Sequence, residues 1–244
     1  MDSWLLLNGF RKYFMNDICW ICNENEADSG EHVITKASLD FIFGKPSDGD
    51  ERFVTHVDGA KNVPVKSFKG DRLKFDKSIC KRCNNALSQP YDNAFNLFVR
   101  NLFKTKGNVV TRKTVNLRGL LLQDRQYRKN LGIYLQKIFG CLIVQHQVRI
   151  SDSDFKSIRD SILTGNQRRS NLWFSMHRDI KKLAARDSVC VAQYPVFAEN
   201  VIGWTIDLDW VSIVLSYPNA PPLQYGDSWE IGVDTTKLKL GKIK

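Results

Sequence analysis

Apolar and polar positions along the chain follow two rhythms. Phe95, Phe98, Val99, Leu102 and Phe103 recur at helical spacing, so "NNALSQPYDNAFNLFVRNLFK" predicts a helix with Pro90 in its first turn. "DRQYRKNLGIYLQKIFGCLIVQ" predicts a long helix, basic at its start and apolar later, and "SDSDFKSIRDSIL" another, capped by Ser151 or Ser153. Residues 1 to about 15 predict a helix capped by Asp2 or Ser3, with Trp4, Leu5, Leu6, Phe10 and Phe14 on a broad face. Elsewhere the period is two. "RFVTHV" and "VPVKSF" predict strands joined by the loop "DGAKN", and "GNVVTRKTVNL", "SVCVAQYPVF", "VIGWTIDLDWVSIVLSYP" and "SWEIGV" predict further strands. "EHVITKA" predicts a strand leading into a short helical turn, "SLDFIFG", before the turn cluster "GKPSDGDE". The tail "KLKLGKIK" alternates like an edge strand, whose lysines serve a polyanion or simply block edge-to-edge pairing.

Helices and strands in this mixture imply an α+β chain. Its 244 residues suffice for one large domain or two small ones. The signals change near residue 106, which suggests one domain over residues 1–106 and a mixed helix/strand domain over 107–244. No repeat or low-complexity segment interrupts either part.

Composition narrows the class. With 43% hydrophobic and 25% charged residues, the chain reads as globular, and no apolar run approaches the ~20 residues needed to span a bilayer. The opening "MDSWLLLNGFRKYF" lacks a basic segment ahead of its apolar run, so it is not read as a signal peptide, and a cytoplasmic location with no membrane association is expected. A net charge of +10 favours a polyanionic partner, against the plainer reading of a basic, solvated surface.

Four of the six cysteines form two C-x-x-C knuckles, Cys19/Cys22 and Cys80/Cys83. The two-residue gap lets both sulfurs of a knuckle face one ion, so the four predict a closed, structural zinc site whose intervening segment is a folded insertion. A redox role is the rival, and neither pair has the β-α-β context that it requires. Cys141 and Cys190 lie alone in apolar runs and are read as small buried hydrophobes.

Glu31-His32 follows the first knuckle by a short turn, and Asn84-Asn85 follows the second at once. Clamping the knuckles together therefore brings an acid, a histidine and two amides near one another. A carboxylate and an amide oxygen suit Mg²⁺ or a similar hard ion, and a histidine beside them can deprotonate a water attacking a phosphodiester. Lys81, Arg82, Arg100 and Lys104 flank this region as candidate phosphate contacts, and Lys106, Arg112, Lys113, Arg118, Arg125, Arg128 and Lys129 extend the trend. The remaining candidates have plainer readings: His56 as a half-buried strand residue, His146 and His177 as structural or surface residues, Asp92 and Asn93 as helix caps.

The order C-x-x-C, Glu-His-Val-Ile with a following lysine, then C-x-x-C-Asn-Asn resembles the HNH endonuclease superfamily over residues 17 to about 100, in the variants reading "EHVIPKA" and "CxxCNN". The resemblance implies a zinc-stapled ββα-metal core followed by a mixed α/β C-terminal region. It further implies His32 as general base, Glu31 and Asn84 as ligands of Mg²⁺ or Mn²⁺, Asn85 as alternate ligand or support, and DNA as substrate. Cutting a duplex would suggest a homodimer, and residues 107–244 would then serve substrate choice, dimerisation or coupling to a protein partner. Such nucleases occur alone, in mobile elements and in phage defence. The chain departs from the pattern where the family carries a bracing asparagine five residues before the second knuckle: Phe75 stands there, followed by Asp76, and Asn62 is another possible brace. Thr35 also replaces the family's common proline. A non-catalytic, zinc-stabilised nucleic-acid-binding module is the alternative that this departure motivates.

Overall fold

A computed structural model describes residues 17–45, 53–57, 61–64, 67–179, 189–198, 201–219 and 226–243. The helix expected over residues 1 to about 15 and most of the turn cluster from Gly44 lie outside them.

The first knuckle leads into β1 (Ser29–His32), which pairs antiparallel with β4 (Lys74–Ile79). The two strands meet closely at Gly30, where a Cβ would stand 2.5 Å from the Phe75 carbonyl oxygen, so only glycine fits. β1 ends at His32, and Val33 and Ile34 turn directly into the core at 4% and 1% exposure. Between the paired strands lie α1 (Lys36–Phe43), whose first turn is capped by the Thr35 hydroxyl accepting from Ser38 N, and the hairpin β2 (Phe53–Val57) and β3 (Lys61–Pro64).

After β4, the second knuckle winds into a π-helical turn, Cys83–Leu87, and then α2 (Gln89–Lys104). The helical spacing seen in the sequence is the buried face of α2: Phe95, Phe98, Val99 and Leu102 are fully enclosed. The strand expected over "GNVVTRKTVNL" is instead α3 (Lys106–Arg112), a left-handed Lys113 (φ 55°), and a strand β5 of only three residues (Thr114–Asn116). Its alternation was too short to decide: Val109 alone is buried in α3, and the polar residues around it face outward on a helix as readily as on a strand.

A single helical turn, Leu117–Leu120, precedes α4 (Arg125–Gln145), in which every residue from Asn130 to Ile143 is buried. A helix enclosed on all sides is a core element. It packs on α2, where Phe95 stacks on Tyr134 at 4.2 Å, and on α5 (Asp152–Thr164), which is capped by Ser151. The first knuckle docks on it too. A Cβ at Gly140 would fall 2.2 Å from the Trp20 ring, so α4 yields its surface to the indole there.

The remaining strands are β6 (Trp173–Asp179), β7 (Val189–Ala198), β8 (Val201–Leu208), β9 (Val211–Tyr217), β10 (Ser228–Glu230), β11 (Lys237–Lys239) and β12 (Gly241–Ile243). They build one large sheet in the order β3-β2-β7-β8-β9-β6, with β10 and β12 sharing the outer edge of β6. β2 joins β7 in parallel, so the hairpin that lies between the knuckles in sequence completes a sheet made mostly of later strands. β11 pairs with β5. Residues before and after 106 share one hydrophobic core.

Candidate metal centre and acid–histidine site

The sulfurs of Cys19, Cys22, Cys80 and Cys83 all lie within 4.8 Å of one another. Cys22 and Cys80 stand 3.9 Å apart, close to the ~3.8 Å edge of a tetrahedron with 2.3 Å metal–sulfur bonds. Local hydrogen bonds fix each knuckle. Cys19 N donates to Asn25 O (2.7 Å) and Asn23 N to Cys19 O (2.9 Å); Cys83 N points at Cys80 Sγ (3.4 Å), and the Asn25 amide reaches both Cys22 and Cys80 sulfurs at 3.7 Å. A hydrogen bond from Cys83 holds the Cys19 thiol down at about 5, and the same contact pushes Cys83 up, so one member of the pair is ready to ionise. Four converging thiols, three of them buried, are close enough to hold a metal ion and are compatible with structural zinc.

β1 projects from this centre. The Asn84 amide donates to Ser29 Oγ (2.8 Å) and Gly30 O (3.2 Å), tying the π-turn to the strand that carries Glu31 and His32. His32 is half-buried, and its Nε2 lies 3.2 Å from the Phe68 carbonyl oxygen. A carbonyl only accepts, so Nε2 carries the proton and Nδ1 keeps its lone pair in the neutral ring. Burial lowers the His32 pKa below that of a free histidine, which favours this neutral form.

Glu31 faces the other way, into the protein, and is 4% exposed. Its carboxylate meets Lys137 Nζ at 3.0 Å, at ion-pair distance but without a directed hydrogen bond. Lys137 is fully buried in the middle of α4; its ammonium also reaches Asp92 Oδ1 (2.7 Å) and Ser88 Oγ (3.2 Å) and lies 5.5 Å from the Tyr134 ring centre. Burial opposes the lysine's charge, but the two carboxylates more than offset it and raise its pKa. Burial also raises Glu31, to about 7, with Lys137 pulling against it. One ammonium thus serves two carboxylates, and Asp92 binds it in place of the capping role expected from sequence.

Glu31 does not fit a divalent ion in this arrangement. Its carboxylate is sealed against Lys137, while the Asn84 amide nitrogen donates to β1. Among the described residues, no other cluster of His, Cys, Asp and Glu donors draws as close as the four cysteines. Asn85 is exposed.

Where the resemblance calls for a bracing asparagine, Phe75 is 4% exposed and packs edge-on to Trp204 at 5.4 Å. Asp76 donates its backbone N–H to Gln145 Oε1 (3.1 Å), and the Asn62 side chain lies outside the described residues. The loop that presents the Phe68 carbonyl is instead held by its own turns, Gly70 N to Ser67 O and Leu73 N to Gly70 O (each 3.1 Å), and by Val33 N donating to Leu73 O (2.9 Å).

The candidate basic residues scatter. Lys81 pairs with Asp28 (3.0 Å), Arg100 lies over Phe41 (5.8 Å), Arg82 is exposed, and Lys104 sits at the far end of α2. His146 is exposed beside Phe197, while His177 is buried in β6, where burial lowers it to about 4. Cys141 is fully buried; the side chains of Cys190 and His56 lie outside the described residues. Sequence reasoning passed over Lys137 altogether. Its one signal is the Gln136-Lys137 pair interrupting an otherwise apolar helix face. Comparison with models of protein families, with characterised proteins and with solved structures gave no match.

Proposed function

We propose that this chain is an HNH-type endonuclease that hydrolyses phosphodiester bonds in DNA. His32 carries the reading. Its Nε2–H is spoken for by the Phe68 carbonyl, its Nδ1 is unprotonated, and burial favours the neutral ring at pH 7, the state a general base requires. The antiparallel β1–β4 pair, followed by the knuckle and α2, supports a ββα arrangement of the kind the resemblance implies, with zinc on the four cysteines as its staple. In this proposal Nδ1 accepts a proton from the water that attacks phosphorus. Base chemistry at His32 stands apart from the Mg²⁺ or Mn²⁺ expected at Glu31 and Asn84, which Glu31 does not accommodate as arranged. A homodimer formed through residues 107–244 would let such an enzyme cut both strands.

The test is incubation of the purified, zinc-loaded chain with plasmid DNA and Mg²⁺ or Mn²⁺, beside His32→Ala. We expect nicking by the native chain and a loss of roughly 10²–10⁴-fold in the variant at equal zinc content. Equal nicking by both, or none by either across several metals, counts against base catalysis by His32.

A second reading, a non-catalytic zinc-stabilised nucleic-acid-binding module, is favoured by two observations: Glu31 is sealed against Lys137, and Phe75 is committed to the core. It predicts DNA binding, without nicking, that His32→Ala leaves unchanged.

A further inference from the structure

At the far end of α2, where α3, β5 and β11 converge, the surface opens into a cleft of ≈ 780 Å³. Lys104, Arg112 and Lys237 line it from three separate elements, and no acidic residue does. All three are exposed, and none forms an ion pair among the described residues. What distinguishes the cleft is that three such cations converge on one hollow; elsewhere Lys81, Lys106, Arg125, Arg168 and Arg169 each face an acid, Asp28, Asp209, Asp234, Asp160 and Glu230 respectively. Three unmatched cations around one hollow create a local positive potential suited to phosphate.

The rest of the wall is chemically different. Leu122, 63% exposed, and Val109, which is buried, both line the cleft. Two successive left-handed residues, Leu122 (φ 55°) and Gln123 (φ 60°), hold the leucine there, a conformation that non-glycine residues adopt at a cost. The Asn101 and Asn116 amides are engaged within the wall, with Leu120 O and Gly119 N, whereas Asn108 is exposed and has no hydrogen-bond partner among the described residues.

We propose that this cleft binds a nucleotide unit, its phosphate held by Lys104, Arg112 and Lys237 and its base lying on Leu122 and Val109 with an edge toward Asn108. The volume lies in the range of small-molecule sites, and cations beside an apolar shelf are what a phosphorylated base needs. The unit is either a free nucleotide or one residue of a strand. Twelve residues of α2, about 18 Å, separate Lys104 from Asp92, so this is a site distinct from His32 and does not rest on the endonuclease reading.

Fluorescence anisotropy at physiological salt tests it, with a labelled nucleoside triphosphate and a short labelled single-stranded DNA as probes. Lys104→Ala/Lys237→Ala is compared with Lys77→Ala/Lys156→Ala, which removes two exposed lysines outside the cleft. We expect the native chain to bind at least one probe, the cleft pair to weaken it by about tenfold or more, and the control pair by less than about twofold. Triphosphate binding marks a free-ligand site; binding of the strand alone marks a strand site. Failure of both probes to bind, or equal weakening by the two double variants, overturns the proposal.

Discussion

Two polar clusters, the four cysteines and the Glu31–Lys137–Asp92 group, are built on opposite principles. The four cysteines take their geometry from local spacing: each knuckle presents two sulfurs through its own backbone hydrogen bonds, and the fold has only to bring two finished halves together. Glu31, Asp92 and Lys137 have no local logic. They come from a strand, the helix after the second knuckle and the centre of a helix far along the chain, and they meet because α4 packs against α2 and β4. The first cluster is a ready-made ligand set; the second is a buried charge network that the surrounding packing must hold. A buried lysine between two carboxylates is weak evidence of net stabilisation and strong evidence that removing one partner alone is costly.

The largest effect that separates the clusters should come from the metal. Cys80→Ser is expected to lose one equivalent of zinc per chain by elemental analysis and to unfold the knuckle region, because zinc binding by such sites is worth on the order of 10 kcal/mol. Full zinc retention with an unchanged circular dichroism spectrum would remove the cysteines from the ligand set. Next comes the charge network. Lys137→Met should cost about 3–5 kcal/mol in denaturant unfolding at unchanged zinc content, since Glu31 and Asp92 are left without their cation. The triple variant Lys137→Met/Glu31→Gln/Asp92→Asn should recover most of that loss; a triple variant as unstable as the single one would mean that the lysine acts through its shape.

pH sharpens the contrast because only the second cluster contains a carboxyl raised to about 7. The folded state binds the Glu31 proton more tightly than the unfolded chain does, so this contribution is fully present below the ordinary pKa near 4.5 and is lost as pH rises through about 7. Stability should therefore fall by roughly 2 kcal/mol between pH 5 and 8 on this account, and Glu31→Gln should flatten that slope in thermal melts. A slope identical in the variant assigns the titration elsewhere. Smallest is the link between the clusters. Asn84→Ala removes the bonds to Ser29 and Gly30 and should cost about 1–2 kcal/mol, with zinc retained. Loss of zinc in this variant would mean that Asn84 supports the metal centre as well as β1.

How much was legible follows the same division. Helices α2, α4 and α5 were readable because periodicity, Pro90 and the cap at Ser151 are all local. β8 was readable because its burial alternates along its length. β6 gave no such signal: Phe174, Ser175, Met176 and His177 are all buried, so both faces are covered and the period of two disappears. The strand expected over residues 107–117 failed for the complementary reason, a two-valine run too short to distinguish periods. At the site, spacing brought Glu31, His32 and Asn84 into one neighbourhood but could not say where each side chain points. Along β1, successive residues face opposite sides, and here that sends Glu31 to the core and leaves His32 at the edge.

By itself, then, the sequence determined the knuckles, the set of four converging thiols, the helices that cap and bury their own faces, and the adjacency of the acid–histidine pair to the cysteine cluster. These are short-range properties, set by residue type and a few bonds of separation. Only the tertiary structure decided that β2 and β3 complete a sheet formed mostly by later strands, that Phe75 belongs to the core beside Trp204, and that Lys137 reaches Glu31 from more than a hundred residues away. Those outcomes depend on which buried faces find one another. A lysine in an apolar helix becomes a fixed charge only when packing removes it from water and supplies carboxylates to hold it.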